Sequence, residues 1–258
     1  SSRFIGDRLY LVTFKQIDPL FVIDMKDPKN PKVLGELKIP GYSTYLHPYD
    51  DNHLMWLGYN TFENEYGWTQ NGGLKLSLFD ITDLANPKED SSLVLWDNWS
   101  SSEALYNPRM FVWNSTKKTL LLPATVYTKH PTEKYRYSNV AQWTFVVNVD
   151  ADTWVKLKWA ITHIDSTGLE QKRQEECKNY WNIEKKCVKL INWQEYCYNT
   201  WESSYVPNYC FAESTIGEYL ANIIRNYNEY FVLRNLYIWD NIYSLSNSLM
   251  KVNNIDTL

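Results

Sequence analysis

Residues 19–33, Pro-Leu-Phe-Val-Ile-Asp-Met-Lys-Asp-Pro-Lys-Asn-Pro-Lys-Val, set the pattern from which the fold of the whole chain is predicted. An apolar run ends in an acidic residue, two prolines follow, and a second apolar segment begins at Val33. Proline cannot donate to a strand ladder, whereas Asp27 and Asn30 can close a turn by bonding nearby backbone groups. The stretch therefore predicts a strand, a tight turn and a second strand.

The same pattern returns twice along the chain. Residues 76–89, Leu-Ser-Leu-Phe-Asp-Ile-Thr-Asp-Leu-Ala-Asn-Pro-Lys-Glu, repeat both the Asp-ended apolar run and the Asn-Pro-Lys turn, and a third run ends at Asp150. Short strands repeating with a period of about 40 residues are typical of the blades of a β-propeller. The repeats predict an all-β fold, a β-propeller of about four blades or part-blades that forms part of a larger ring.

Three segments are predicted, because the composition and the hydrophobic pattern change after residue 165. Residues 1–165 carry propeller blades, residues 166–230 form a disulfide-rich and partly helical insertion, and residues 231–258 form a last, truncated blade. Because a closed propeller leaves no free strand edge, either further blades are missing or another chain completes the ring. Of these alternatives we favour a fragment of a longer propeller.

Composition excludes some classes of partner. The net charge of −4 gives none of the basic excess that a nucleic-acid-binding protein usually carries, so no nucleic acid is expected. The chain has no run of about 18 apolar residues, so we expect no transmembrane segment in it. Twelve Trp and twenty Tyr residues favour pleated sheet and also favour contact surfaces.

Cysteines and sequons indicate the compartment. Four cysteines crowd into one polar, aromatic segment without a Cys-x-x-Cys pair, which fits two disulfides better than a zinc site. Three pairings are open, and sequential pairing is preferred. Two Asn-x-Ser/Thr sequons predict glycosylation. The expected localisation is therefore secreted or at the cell surface, and these residues are Cys177, Cys187, Cys197, Cys210, Asn98 and Asn114.

Several stretches carry a resemblance to a known family. They are residues 3–14, 18–24, 34–43, 45–48, 73–80, 101–106 and 236–253. In these the chain resembles the secreted β-propeller-domain proteins of bacteria and archaea, which are distantly related to WD40 repeats and to Leu-Val-Ile-Val-Asp-type propellers. The resemblance covers about residues 1–165 and 231–258 and leaves the Cys-rich insertion outside. It implies the C-terminal part of a longer propeller in a surface protein, and it supplies no catalytic residues.

Catalytic and metal-binding motifs are absent from the sequence. It has no phosphate-binding loop, no Gly-x-Ser-x-Gly elbow and no His-Glu-x-x-His. The recurring Asp24, Asp80 and Asp150 suggest calcium or acid–base chemistry, but an Asp at a strand end more often closes its own turn. The four histidines lie on different units and are expected to be structural. No cofactor and no metal are therefore expected.

The insertion contains the strongest candidate for a functional surface in the sequence, a cluster of eight aromatic residues. These side chains either form a small core around two disulfides or form a recognition surface of rigid aromatics. Expected partners of such a surface are other surface proteins, further copies of the chain, or glycans stacked on ring faces. The residues are Tyr180, Trp181, Trp193, Tyr196, Tyr198, Trp201, Tyr205 and Tyr209.

Three functions follow from this reading of the sequence. The leading one is a non-enzymatic extracellular β-propeller that mediates protein–protein interaction or assembly at the cell surface. The alternative is a glycan-binding module that uses exposed Trp and Tyr. The third is an enzyme whose active site lies at the propeller axis and is completed by missing blades.

Overall fold

The computed structural model describes residues 1–13, 18–129, 137–163, 171, 173–178, 185–189, 195–199 and 231–258, with side chains except at 18, 128–129, 137–141, 185–189 and 195–199. The chain divides into two compact units. Unit 1 comprises Ser1–His163 and Glu229–Leu258, and unit 2 comprises Ile164–Asn228. Both boundaries lie two residues before those expected from the sequence.

The described part of unit 1 contains four antiparallel sheets, each made of strands that follow one another in the chain. Blade 1 contains β1 (Ser2–Ile5), β2 (Arg8–Val12), β3 (Asp18–Asp24) and β4 (Lys32–Ile39). Blade 2 contains β5 (Tyr42–Pro48), β6 (His53–Glu63), β7 (Thr69–Asp80) and β8 (Lys88–Leu95). Blade 3 contains β9 (Val112–Asn114), β10 (Thr119–Lys129), β11 (Tyr137–Asp150) and β12 (Trp154–Thr162). Blade 4 contains β15 (Arg234–Ile238), β16 (Asn241–Leu245) and β17 (Met250–Asn254).

The turn predicted from residues 19–33 is confirmed. The Asp27 carboxylate accepts hydrogen bonds from the Lys29 N–H at 3.0 Å and from the Asn30 side-chain amide at 2.8 Å. In blade 2, Asp83 accepts the matching pair from Ala85 at 3.0 Å and Asn86 at 2.9 Å. The same residue types therefore build the same turn between the third and fourth strands of both blades.

The apolar strands of the two middle blades are buried on both faces. Leu54 and Trp56 of β6 join the cluster shared with blade 1, while the intervening Met55 and Leu57 join the cluster shared with blade 3. Successive side chains of a strand point to opposite faces of its sheet. A continuous apolar run, rather than alternation, is therefore what a blade between two neighbouring blades requires.

The contact between blades 3 and 4 combines a small apolar cluster with ion pairs. Its apolar part includes Leu121 and Val146 of blade 3 and Ile242 of blade 4. At the turns, the Lys117 ammonium lies 2.9 Å from Asp240 and 3.2 Å from Asp256, both on blade 4. The fourth sheet therefore packs on the third as a further blade.

Unit 2 contains a hairpin of β13 (Lys185–Lys189) and β14 (Glu195–Asn199), and residues 173–178 are helical. Cys177 is buried and disulfide-bonded, and Cys187 lies opposite Cys197 in the hairpin register. The side chains of Cys187 and Cys197 and all of Cys210 lie outside the described residues. The expected pair of disulfides therefore stays a prediction.

Within the described ranges, no helix is both long and apolar enough to cross a membrane.

Candidate functional site

The recurring strand-end aspartates close turns. The side chains of Asp24, Asp80 and Asp150 each accept a hydrogen bond from the N–H two residues ahead, at 2.9, 2.8 and 3.0 Å. Blade 4 repeats this arrangement with Asn254, which accepts from the Asp256 N–H at 3.0 Å. The interpretation of these carboxylates as turn caps is confirmed. The fourth cap was not predicted from the sequence, because Asn254 carries an amide where the other three positions carry a carboxylate.

Hydrogen bonds dominate the electrostatics of the blade 2 cap. Bonds from the Thr82 hydroxyl and N–H lower the pKa of Asp80 to about 2, despite the opposing effect of burial. Lys88 adds an ion pair at 3.1 Å. The Asp80 carboxylate is therefore held ionised for a structural purpose.

The three described histidines lie in separate places. A ring nitrogen of His47 lies 3.1 Å from the Tyr45 hydroxyl, His53 lies 2.9 Å from Asp50, and His163 lies 2.8 Å from the Ser244 hydroxyl. Among the side chains that the structure describes, no group of three or more His, Cys, Asp or Glu residues is placed to hold a metal ion. His130 lies outside the described residues.

The aromatic cluster predicted as a recognition surface cannot be placed. The side chains of Tyr180, Trp181, Trp193, Tyr196, Tyr198, Trp201, Tyr205 and Tyr209 all lie outside the described residues. The structure does describe a different aromatic site, a cleft of about 1000 Å³ at one end of blade 2. We call it the hairpin cleft. It lies between the β6–β7 hairpin and the segment that follows β8, and its walls include Phe62, Tyr66, Trp96 and Trp99.

The first wall of the hairpin cleft is the tip of the β6–β7 hairpin. The Asn64 side-chain oxygen accepts hydrogen bonds from the N–H groups of Tyr66 at 3.0 Å and Trp68 at 2.9 Å. Gly67 has a φ of +74°, a left-handed conformation that glycine adopts without steric cost. This tight tip leaves the rings of Tyr66 and Trp68 largely exposed.

The second wall is the segment from Trp96 to Trp99, which blade 3 holds in place. The Asp97 N–H donates to the Tyr127 carbonyl at 3.2 Å, and the Ser100 hydroxyl accepts from the Tyr127 N–H at 3.0 Å. The Trp96 ring packs 4.7 Å from that of Phe145, between ring centroids. These contacts fix the segment although Trp96 and Trp99 have φ angles of +56° and +74°.

A glycine allows the two walls to approach. A Cβ atom on Gly73 of β7 would overlap the carbonyl oxygens of Leu95 and Trp96. Only a residue without a side chain lets the chain leave β8 this close to β7. Gly73 therefore sets the position of the Trp96–Trp99 wall.

The two sequons fall in different surroundings. Asn98 lines the hairpin cleft, and the hydroxyl-bearing Ser100 of its sequon is buried. Asn114 closes the turn after β9, because its side-chain oxygen accepts from the Lys117 N–H at 3.0 Å. Glycosylation at both positions stays a prediction.

Sequence reasoning missed the hairpin cleft. Its residues come from two segments, 60–73 and 94–99, which become neighbours only when β7 pairs with β8. The available signal was the close spacing of Trp96 and Trp99 beside Asn98. Read alone, this spacing predicts only a sequon.

Comparison with known proteins identifies the kind of domain. A family model described as "Beta propeller domain" matches residues 1–209. The match extends past residue 165 and does not include 231–258, so the expectation that the Cys-rich segment falls outside the resemblance is wrong in extent.

An uncharacterized protein of Methanocaldococcus jannaschii is 50% identical over 122 residues, and one of Archaeoglobus fulgidus is 45% identical over 122 residues. Each alignment covers 47% of this chain and 18% of the relative. No solved structure matches.

Proposed function

Because the chain belongs to the β-propeller domain family, we propose that it is an extracellular binding module, not an enzyme, and that it acts by packing blade faces against other proteins. The observation that carries this proposal is the apolar outer face of blade 4. The recurring aspartates close turns, and the three described histidines each contact a neighbouring side chain, which supports a binding role.

The outer face of blade 4 carries an apolar row. The hydrogen-bonded register aligns Leu236 with Tyr243 and Tyr243 with Val252, so the three residues run across the sheet. The alternate residue Ile242 packs inward against blade 3. Val252 is 50% exposed and its neighbour Met250 is 57% exposed. Exposed apolar patches of this kind mark interaction surfaces.

Blade 1 presents a similar row on its own outer face. Phe4 lies opposite Leu9, Leu9 lies opposite Ile23, and Ile23 lies opposite Val33. Phe4 is 61% exposed, whereas Tyr10 of the same sheet is buried against blade 2. Both ends of the run of blades therefore display the kind of surface that their inner faces bury.

The occupant that fits these faces is a further propeller blade. Blades 1, 2 and 3 already cover one another with aliphatic rows of this type, so a blade on either outer face would continue an existing interface. The chain spans about a fifth of the length of the curated relatives it matches, which leaves those relatives room for more blades. When the chain is alone, a second copy supplies the blade.

We expect the isolated chain to self-associate through these faces. Multi-angle light scattering over a range of concentrations should give masses that rise above the 30.6 kDa of one chain. Val252→Lys should return the protein to a single chain, because it places an ammonium within the apolar row, on the edge strand β17. The control is Leu157→Lys, which changes an exposed leucine of β12 away from both outer faces and should not alter the mass. A wild-type chain that stays at 30.6 kDa throughout would contradict the proposal.

We also propose an oxidising, extracellular location. Disulfides persist outside the reducing cytosol, and Cys177 is disulfide-bonded. The register that places Cys187 opposite Cys197 favours a bridge across the hairpin, because directly opposed strand residues have the Cα separation that a disulfide needs. Peptide mapping of the native protein without reduction tests both points. Free thiols at all four cysteines would refute them.

A further inference from the structure

We propose that the hairpin cleft binds a neutral oligosaccharide. This site is separate from the outer blade faces and goes beyond the assembly role proposed above. Its volume of about 1000 Å³ lies at the upper end of the range of about 300–1,000 Å³ for small-molecule pockets, so it offers room for more than one sugar ring.

The aromatic walls supply apolar platforms for sugar rings. Tyr66 is 75% exposed and Trp99 is 68% exposed, and both line the cleft from opposite walls together with Phe62. Exposed Trp and Tyr side chains combine a flat apolar face with a polar edge. A pyranose ring has the complementary form, because its axial C–H groups form a flat apolar face and its hydroxyls project around the rim.

The polar lining suits hydroxyl groups. The side-chain amides of Asn60, Gln70 and Asn98 line the cleft, and none of the three has a hydrogen-bond partner in the part of the chain that the structure describes. Each amide carries two donor hydrogens and one acceptor oxygen. Sugar hydroxyls also donate and accept, so neighbouring hydroxyls can pair with one amide in both directions.

The charge of the lining selects against acidic ligands. Among the lining residues that the structure describes, the charged ones are Glu65 and Asp97, and neither Lys nor Arg is present. Phosphates and acidic glycans would meet these two carboxylates there. A Lys-rich or Arg-rich peptide would gain from the carboxylates, but both already take part in other interactions. The unpartnered amides and the exposed rings favour the neutral sugar.

The Trp96–Trp99 wall is preorganised. A left-handed φ at a bulky residue is strained and persists where the surrounding structure fixes it, often at ligand-binding sites. Here the bonds to Tyr127 and the paired hydrogen bonds of 2.8 Å between Ser101 and Thr125 fix the two tryptophans before any ligand arrives. A rigid wall reduces the ordering cost of binding.

The test is calorimetric titration of the chain with neutral hexasaccharides of glucose, mannose and N-acetylglucosamine. The proposal requires an unmodified Asn98 and therefore departs from the glycosylation predicted at that sequon. The chain is accordingly produced in a bacterial host, and mapping confirms that Asn98 is unmodified. We expect saturable binding of at least one hexasaccharide. Trp99→Ala and, separately, Gln70→Ala should each weaken that binding about tenfold or more, because each removes one of the contacts described.

The matched control is Trp154→Ala. Trp154 has the same φ of +74° as Trp99 and is similarly exposed at 61%, but it lies at the β11–β12 turn outside the cleft lining. Its replacement should leave sugar affinity unchanged, and thermal unfolding should show all three variants folded. Four results would overturn the proposal: no hexasaccharide binds, Trp154→Ala weakens binding as much as Trp99→Ala does, a Lys-rich peptide binds at Trp99 while the sugars do not, or the native protein carries its own glycan on Asn98 within the cleft.

Discussion

Replacing Trp56 by alanine is expected to lower the free energy of unfolding by about 3 to 5 kcal/mol, the range for truncating a fully buried aromatic side chain. Trp56 has no exposed surface and lies in the cluster between blades 1 and 2. The centroid of the Trp56 ring is 6.0 Å from that of Phe79, and the Lys75 ammonium lies over the Trp56 ring, 5.3 Å from its centroid. The cavity left by alanine would open in the middle of the interface, so both blades would lose packing together.

Urea denaturation followed by circular dichroism measures this loss, because the sheet signal reports on all four blades. The control is Trp239→Ala, which removes the same side chain from a turn of blade 4 where it is 87% exposed. This variant should stay within about 0.5 kcal/mol of the wild type. Equal losses in the two variants would show that Trp56 does not pack between blades as described.

Acidification is expected to destabilise the fold through His47. Burial lowers the pKa of His47 from 6.5 to about 4, and the nearby Arg3 cation acts in the same direction. Its ring also packs 4.9 Å from that of Phe111, and the neutral form can accept the Tyr45 hydroxyl proton at 3.1 Å. Protonation would therefore place a charge in a largely apolar setting and remove an acceptor.

The direction of the pH effect follows from which state binds the proton. Between the pKa of 6.5 in the unfolded chain and about 4 in the folded chain, only the unfolded state is protonated at His47, so stability falls as the pH falls. From about pH 7.5 to about pH 5 the loss should be roughly 1 kcal/mol, because solvent screens the partly exposed ring. Burial also lowers the pKa of His163, which adds to the effect in the same direction.

Urea midpoints measured across this pH window test the His47 account. His47→Gln, which keeps a polar side chain but cannot titrate, should flatten most of the dependence. The window ends above the range in which carboxyl groups ordinarily titrate, so carboxyl protonation contributes little to the measured slope. A slope that is unchanged in His47→Gln would assign the destabilisation to other groups.

Local patterns in the sequence predicted the blades well, because the signals act over a few residues. The Asp and Asn residues of 19–33 close the turn that their side chains can reach, and alternation along β6 places Trp56 and Met55 on opposite faces. The cap at Asn254 follows the same physics with an amide in place of a carboxylate. These features need no knowledge of distant parts of the chain.

The hairpin cleft could not be predicted in this way, because it depends on contacts between segments. Trp99 reaches the cleft for two reasons. Gly73 lets the segment after β8 approach β7, and Tyr127 on the next blade holds that segment by hydrogen bonds. The positive φ angles of Trp96 and Trp99 contradict the local preference of tryptophan, and only tertiary bonds explain them. The predicted aromatic surface of the Cys-rich segment lies outside the described residues.

We propose that the outer faces of blades 1 and 4 receive further propeller blades. An experimental structure of the protein in the form that its organism produces tests this most directly. We predict a β-sheet packed face to face on the row that contains Leu236, Tyr243 and Val252, at the spacing of about 10 Å typical of stacked sheets. A structure in which solvent, a helix or an irregular segment covers that row would contradict the account.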